Sequence, residues 1–322
     1  MGYDSTNTFP KETKRKDVIE FLDLLGFYTF DKKTFYFYKD EDYKYNEGLT
    51  AYLVERNGIL SIDIHTTVWR SKADSDYHNF TIKQLKKRFG GSFHTDFGTG
   101  RYLKPPQFER VKAEAGCYMA FSNFISSMAK AFIYLSDRET SHQIKVTSEL
   151  IKNAPIIASM HPTIISNNLI VPYFVSCIED YFKNTYVALL KYSDKKLGIL
   201  KNARILPDDL LSISNNILTV EMAAAKTMSF QNIHKICAYF RDLDTKLDLA
   251  GTLKKPYKRR KKSLFDVLNN IFEQRHLLIH RNIMMIDYSR ENAMKDLEDI
   301  RAAIERIYKK IIDTYNWHEE IF

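Results

Sequence analysis

The chain has 322 residues, enough for two domains that each bury an ordinary core, and its 44% hydrophobic content excludes a disordered polymer. Nowhere do eighteen consecutive apolar residues occur, so no membrane partner is expected, and Met1 to Pro10 carry no apolar run of the leader type. The formal charge of +8 favours an anionic partner, and Cys117, Cys177 and Cys237, each embedded in apolar sequence, read as reduced core thiols of a soluble cytoplasmic protein.

In chain order, Lys14 to Leu25 predicts a short amphipathic helix, after which the pattern turns to strands. Thr34 to Tyr38 is aromatic and β-prone, and Leu49–Glu55 and Ile59–Trp69 flank Asn57-Gly58, a strong hairpin turn signal. A small antiparallel sheet follows from this. Thr81 to Phe89 predicts a basic helix stopped by Gly90-Gly91, and Gly98-Thr99-Gly100-Arg101 predicts a turn or tight hairpin, since it lacks the spacing of a phosphate cradle.

Val111 to Leu135 predicts a long helix, and the polar stretch Ser136 to Ser148 is the expected boundary between an α+β domain over residues 1–140 and an all-α domain over 145–322. Leu169 to Leu190 is apolar on all sides at its start, as in a helix at the centre of a bundle, with Glu179 its first charge. Val220 to Leu243 forms one long helix or two shorter ones. Ser263 and Asp266 predict an N-cap for the next helix, and from about Arg290 to Trp317 a seam of Ala293, Leu297, Ile300, Ile304, Ile307, Ile311 and Tyr315 suits a bundle or a dimer. The N-terminal domain matches no known pattern; a sensor, a nucleic-acid platform and a docking surface all fit its aromatic strands and basic helix.

Two features carry chemistry. Lys254 to Lys262 holds seven cations in nine residues, including Lys258, Arg259, Arg260, Lys261 and Lys262; it reads as a phosphate-backbone contact, a solvated loop or a localisation signal. In the helix that follows, the apolar stripe Phe265, Leu268, Phe272 continues to Arg275 and then Ile279. An arginine at a core position asks for a carboxylate partner or a cleft in which a cation is used. His280 falls at or just beyond the helix end. The close pairs His276/His280 and His234/Cys237 raise a metal site, but Leu277 stands where a zinc-protease helix needs glutamate, and no metal or cofactor is expected.

The segment Arg275-His276-Leu277-Leu278-Ile279-His280 resembles the signature of the HEPN superfamily, and with Arg281-Asn282 it looks like the subgroup called RiboL-PSP-HEPN. The resemblance covers about residues 145–322. It implies a four- or five-helix bundle that homodimerises and acts as a metal-independent endoribonuclease, either a toxin or an effector of abortive antiviral defence. Arg275 and His280 would be catalytic and His276 supportive. RNA, transfer RNA among the candidates, would be the partner, together with an antitoxin or a phage-derived trigger. Cleavage by attack of a 2′-hydroxyl needs a base, an acid and a cation against the phosphorane charge, and a two-fold interface would bring two copies of His280 to one phosphate. Glu179, one helical turn before Lys183, is expected either to pair with Arg275 or to form an ordinary surface pair with Lys183. Arg281 is a candidate phosphate contact or a helix-end cation. The rival reading is a non-catalytic RNA-binding or protein-interaction module in which Arg275 and His280 are structural.

Overall fold

The computed structural model describes residues 2–38, 43–106, 109–137, 162–258 and 260–318. It divides into two compact units, Met1–Ala115 and Gly116–Phe322. The polar stretch expected at the boundary lies, from position 138 on, outside the described residues. The division falls within the first turn of the long helix Lys112–Asp137 rather than after that helix, whose aromatic face packs on later helices.

The first unit is a seven-stranded antiparallel sheet with strands β1 (Tyr3–Thr8), β2 (Tyr28–Thr29), β3 (Thr34–Phe37), β4 (Leu49–Arg56), β5 (Ile59–Thr66), β6 (Ser92–Thr95) and β7 (Gly98–Thr99) in the order β2-β3-β4-β5-β1-β6-β7. Helices α1 (Arg15–Leu24) and α2 (Lys72–Phe89) complete it. Asn57 and Gly58 both take positive φ, as the β4–β5 hairpin requires, and Gly98-Thr99 pairs back on His94-Thr95 as the predicted tight hairpin. Gly91 combines a positive φ with a backbone packed on the Thr8 carbonyl, where a Cβ would collide. One sheet face is buried through Phe35, Phe37, Ala51, Leu53, Ile62 and Ile64 against Val18, Leu22 and Leu85; Tyr36, Tyr52, Asp63 and His65 lie on the other.

Beside this apolar core, β1 and α2 bury polar groups of which apolar periodicity gives no sign. β1 buries Ser5 and Asn7 instead of apolar residues, and α2 begins nine residues earlier than the predicted Thr81, burying Asp74, Ser75 and His78. Ser5 Oγ is 2.7 Å from His78 Nε2, and Asn7 Nδ2 donates to the Ile82 carbonyl at 3.3 Å. Burial first, then the nearby charges of Arg70 and His65, pushes the His78 imidazole down to about 3 from an ordinary 6.5. The unfolded chain therefore binds one more proton than the folded one between those two values, and stability is lost as pH falls below 6.5, by about 1.4 kcal/mol per unit. Chemical denaturation of wild type and His78→Gln at pH 7, 6 and 5 reads this directly. The variant is expected to show the shallower dependence; parallel curves would sink the assignment.

In the second unit, the principal helices are α3 (Lys112–Asp137), α4 (Pro162–Lys191), α8 (Ile233–Leu243), α10 (Leu264–Arg281) and α11 (Arg290–Tyr315), with short helices α5 (Lys196–Lys201), α6 (Pro207–Ser214), α7 (Val220–Lys226) and α9 (Leu249–Lys254) between them. α4 is the central helix, burying Phe174, Ile178, Tyr181 and Phe182 among others. Phe121 of α3 stacks on Tyr308 of α11 at 4.1 Å between ring centres, and Phe124 meets Tyr181 of α4. Six of the seven predicted seam residues of α11, Ala293 to Ile311, are buried inside this unit, so they serve its core rather than a dimer seam. The stretch Val220–Leu243 is two helices, each restarted by a side-chain cap, Thr219 for α7 and Asn232 for α8. Among the described residues no helix is long and apolar enough to cross a membrane.

Candidate functional site

Helix α10 starts with the expected capping box: Ser263 Oγ accepts from the Asp266 N–H, and the Asp266 carboxylate accepts from the Ser263 N–H. Its first three turns bury Leu264, Phe265, Leu268, Ile271 and Phe272, and then the pattern changes. Arg275 is half-buried, while His276, Ile279 and His280 are exposed, and the helix closes on Asn282 in the left-handed conformation, with the Ile283 N–H bonded to the Leu277 carbonyl. The helix therefore runs one residue beyond His280, and Arg281 lies exposed in its last turn.

Arg275 and His280 come together. Nη1 of Arg275 donates to Gln231 Oε1 at 3.1 Å and lies 3.3 Å from Nε2 of His280. Because a guanidinium can only donate, His280 Nε2 acts here as acceptor, which places the ring proton on Nδ1. His276 and His280 rings lie 4.9 Å apart on the same face. Ile279 on the helix and Ile283 just past its end are exposed as well, 52% and 48% accessible.

The segment after α10 is fixed by a residue that no sequence motif marks. Asn168 of α4 clamps the backbone of Met285, accepting its N–H at 2.8 Å and donating to its carbonyl at 2.9 Å, while Asn167 donates to the Tyr288 carbonyl. Both asparagines are buried, so the clamp holds the end of the motif helix against the central helix of the unit.

Among the described residues the expected pairing of Glu179 with Arg275 is absent, and so is the alternative Glu179–Lys183 pair. Gln231, in the loop between α7 and α8, takes the place of the carboxylate. Glu179 and Lys183 instead line a polar cleft of about 480 Å³ whose rim includes Gln231. Nothing in the periodicity of the helices marks Gln231; its only signal is its position immediately before the Asn232 cap.

The basic tract is more structural than expected. Arg260 forms an ion pair with Asp299, which is buried on α11, and its guanidinium lies 5.5 Å from the Tyr257 ring centre. Arg306 donates to the carbonyls of Lys255 and Pro256 and lies over the same ring, and Lys258 sits 3.8 Å from Glu298. Arg260 thus neutralises a buried carboxylate and is not a free phosphate contact. Lys261 and Lys262 remain exposed, and Arg259 lies outside the described residues. Arg260→Ala leaves Asp299 buried and uncompensated, for an expected loss of about 2–3 kcal/mol, whereas Lys261→Ala should cost under about 0.5 kcal/mol. Urea titration of the two variants separates the roles, and equal midpoints would contradict them.

Cys117, Cys177 and Cys237 are buried free thiols, and burial pushes Cys237 up to about 12, so none is a ready nucleophile. Among the described residues no group of three or more His, Cys, Asp or Glu side chains stands close enough to hold a metal ion. Comparison with protein-family models, with curated proteins and with solved structures gives no match to this chain.

Proposed function

We propose that the chain is an endoribonuclease of the HEPN type, acting as a homodimer and leaving 2′,3′-cyclic phosphate and 5′-hydroxyl ends. The observation that carries this is the Arg275–His280 contact on an exposed helix face: a cation beside an imidazole whose Nε2 is an acceptor. Nε2 of His280 takes the 2′-hydroxyl proton, the alkoxide attacks the neighbouring phosphorus, and the Arg275 guanidinium, held by Gln231, faces the charge that develops on the phosphorane. One imidazole that has just accepted a proton does not protonate the leaving 5′-oxygen in the same step. His280 of the partner subunit does so, entering the step as the imidazolium and leaving it neutral, through an interface seeded by Ile279 and Ile283.

A role as a toxin or an abortive-defence effector, with transfer RNA as the substrate, extends this reading by resemblance. The chemistry is tested with purified protein and total RNA in EDTA, followed by end-group analysis. A 2′-deoxy substitution at the scissile nucleotide must abolish cleavage, because it removes the nucleophile; cutting of that substrate or of DNA refutes the mechanism. Binding without cleavage, with melting temperatures that drop in Arg275→Ala and His280→Ala, would favour the non-catalytic module. RNA affinity is expected to lose salt dependence by about 0.7 in log–log slope for each phosphate contact removed at Lys261 or Lys262. An unchanged slope removes those lysines from the interface.

A further inference from the structure

The cleft beside the motif helix has charged groups that the fold does not use. It is lined by Ser176, Glu179, Asp180 and Lys183 of α4, by Lys226 at the end of α7 and by Ser229 and Gln231 of the loop between α7 and α8. Asp180 already accepts from Asn184, and Lys226 is paired with Asp209. Glu179 and Lys183, half-buried and one turn apart on the same helix face, make neither an ion pair nor a hydrogen bond with any described residue. Two opposite charges at this spacing ordinarily meet each other. Held apart in a cleft whose volume falls in the range of small-molecule sites, they present an acceptor pair and a donor to whatever enters.

We propose that this cleft receives a guanine, the base of the nucleotide whose 2′-hydroxyl attacks, so that cleavage falls on the 3′ side of G. The inference rests on the nuclease reading for its place in the reaction. Guanine alone among the four bases offers two adjacent donors, N1–H and the N2 amino group, which match the two oxygens of one carboxylate, together with the acceptors O6 and N7 that suit an ammonium. Glu179 takes the donors and Lys183 the acceptors. Adenine and cytosine each place a ring-nitrogen acceptor beside their amino donor, and uracil flanks its single N–H with carbonyls, so each sets a lone pair against the carboxylate. Gln231 connects recognition to chemistry, since it belongs to the cleft rim and also holds Arg275 at 3.1 Å. Gln231 is thus the residue that joins a base seated in the cleft to the guanidinium.

The test is titration of the full chain with the four nucleoside 3′-monophosphates, followed by calorimetry. Guanosine 3′-monophosphate is expected to bind about tenfold tighter than the other three. Glu179→Gln should erase that preference while leaving the other three unchanged, and Arg275→Ala should weaken all four alike. Lys183→Met, which keeps the aliphatic stem, provides a second variant should Glu179→Gln fold poorly, and it too should lower the guanosine preference. Four equal affinities, no measurable binding, or a preference that survives both substitutions overturns the assignment. Sequencing the ends of cleaved RNA separates it from the nuclease reading. Cleavage with no G on the 5′ side defeats the guanine pocket alone, whereas guanosine preference with RNA left intact defeats the nuclease alone.

Discussion

Arg275→Ala and His280→Ala are each expected to reduce RNA cleavage by a factor of about 10²–10⁴ while leaving stability within about 1 kcal/mol of wild type. The two effects separate because the hydrogen bonds of these side chains lie outside the core. His280 is exposed, and Arg275 is half-buried with an exposed Gln231 as its partner, so truncation strands no buried polar group. Arg275→Lys retains the charge but replaces the planar guanidinium, whose Nη1 meets both Gln231 and His280, with a point charge, and an intermediate activity follows, down about 10–100-fold. A drop in melting temperature that tracks the loss of activity would make both residues structural.

The composite site gives a sharper version of the same experiment. If each scissile phosphate needs His280 from both subunits, a mixed dimer of wild type and His280→Ala has no complete site. Equal amounts of the two, allowed to exchange, should then retain about one quarter of the activity of undiluted wild type, because about one quarter of the dimers are fully wild type. Independent sites, each complete within one subunit, would retain about half. The comparison tests the dimer without depending on the absolute rate.

Which features could be read from the chain follows from where the polar residues go. Helix α10, its Ser263–Asp266 box and the seam of α11 were legible because apolar spacing and a local cap determine them. The hairpin at Asn57-Gly58 was legible for the same reason. β1 was not, because its inward positions are Ser5 and Asn7, and no alternation of apolar and polar residues exists to be found. The start of α2 was missed likewise, since Asp74, Ser75 and His78 look like loop chemistry until α2 and the sheet close over them. At the candidate site, spacing placed Arg275 and His280 on one helix end but gave no access to their neighbours. Gln231, not Glu179, meets the guanidinium, and its position depends on the path of residues 227–232, a loop with no periodicity.

Asp74→Ala is expected to cost the N-terminal unit about 3–5 kcal/mol, more than the break of the buried Arg260–Asp299 pair costs the helical unit. Its carboxylate is fully buried and accepts five hydrogen bonds: from the backbone N–H of Asn46, Glu47 and Gly48 at 2.9, 3.2 and 2.9 Å, and from the N–H and hydroxyl of Ser71 at 2.7 and 2.9 Å. One side chain thus caps its own helix and fixes the turn that leads into β4. Within that turn Gly48 has positive φ and its backbone packs directly on the Phe37 carbonyl, so a side chain there would collide. Truncation leaves several buried donors facing a cavity, whereas Asp74→Asn is a partial remedy: with its oxygen in the place of Oδ2 it keeps four of the five bonds, and its amide nitrogen then faces only the Gly48 N–H. The chain carries two tryptophans, Trp69 in this unit and Trp317 in the other, and Asn46 donates to the Trp69 carbonyl at 3.0 Å. In a Trp317→Phe background, fluorescence therefore reports on the affected unit alone. Its transition should fall by on the order of 20 °C in Asp74→Ala. A shift of only a few degrees would mean that water replaces the carboxylate at little cost and that the Asp74 bonds to Ser71 and to the turn before β4 are not what holds the unit.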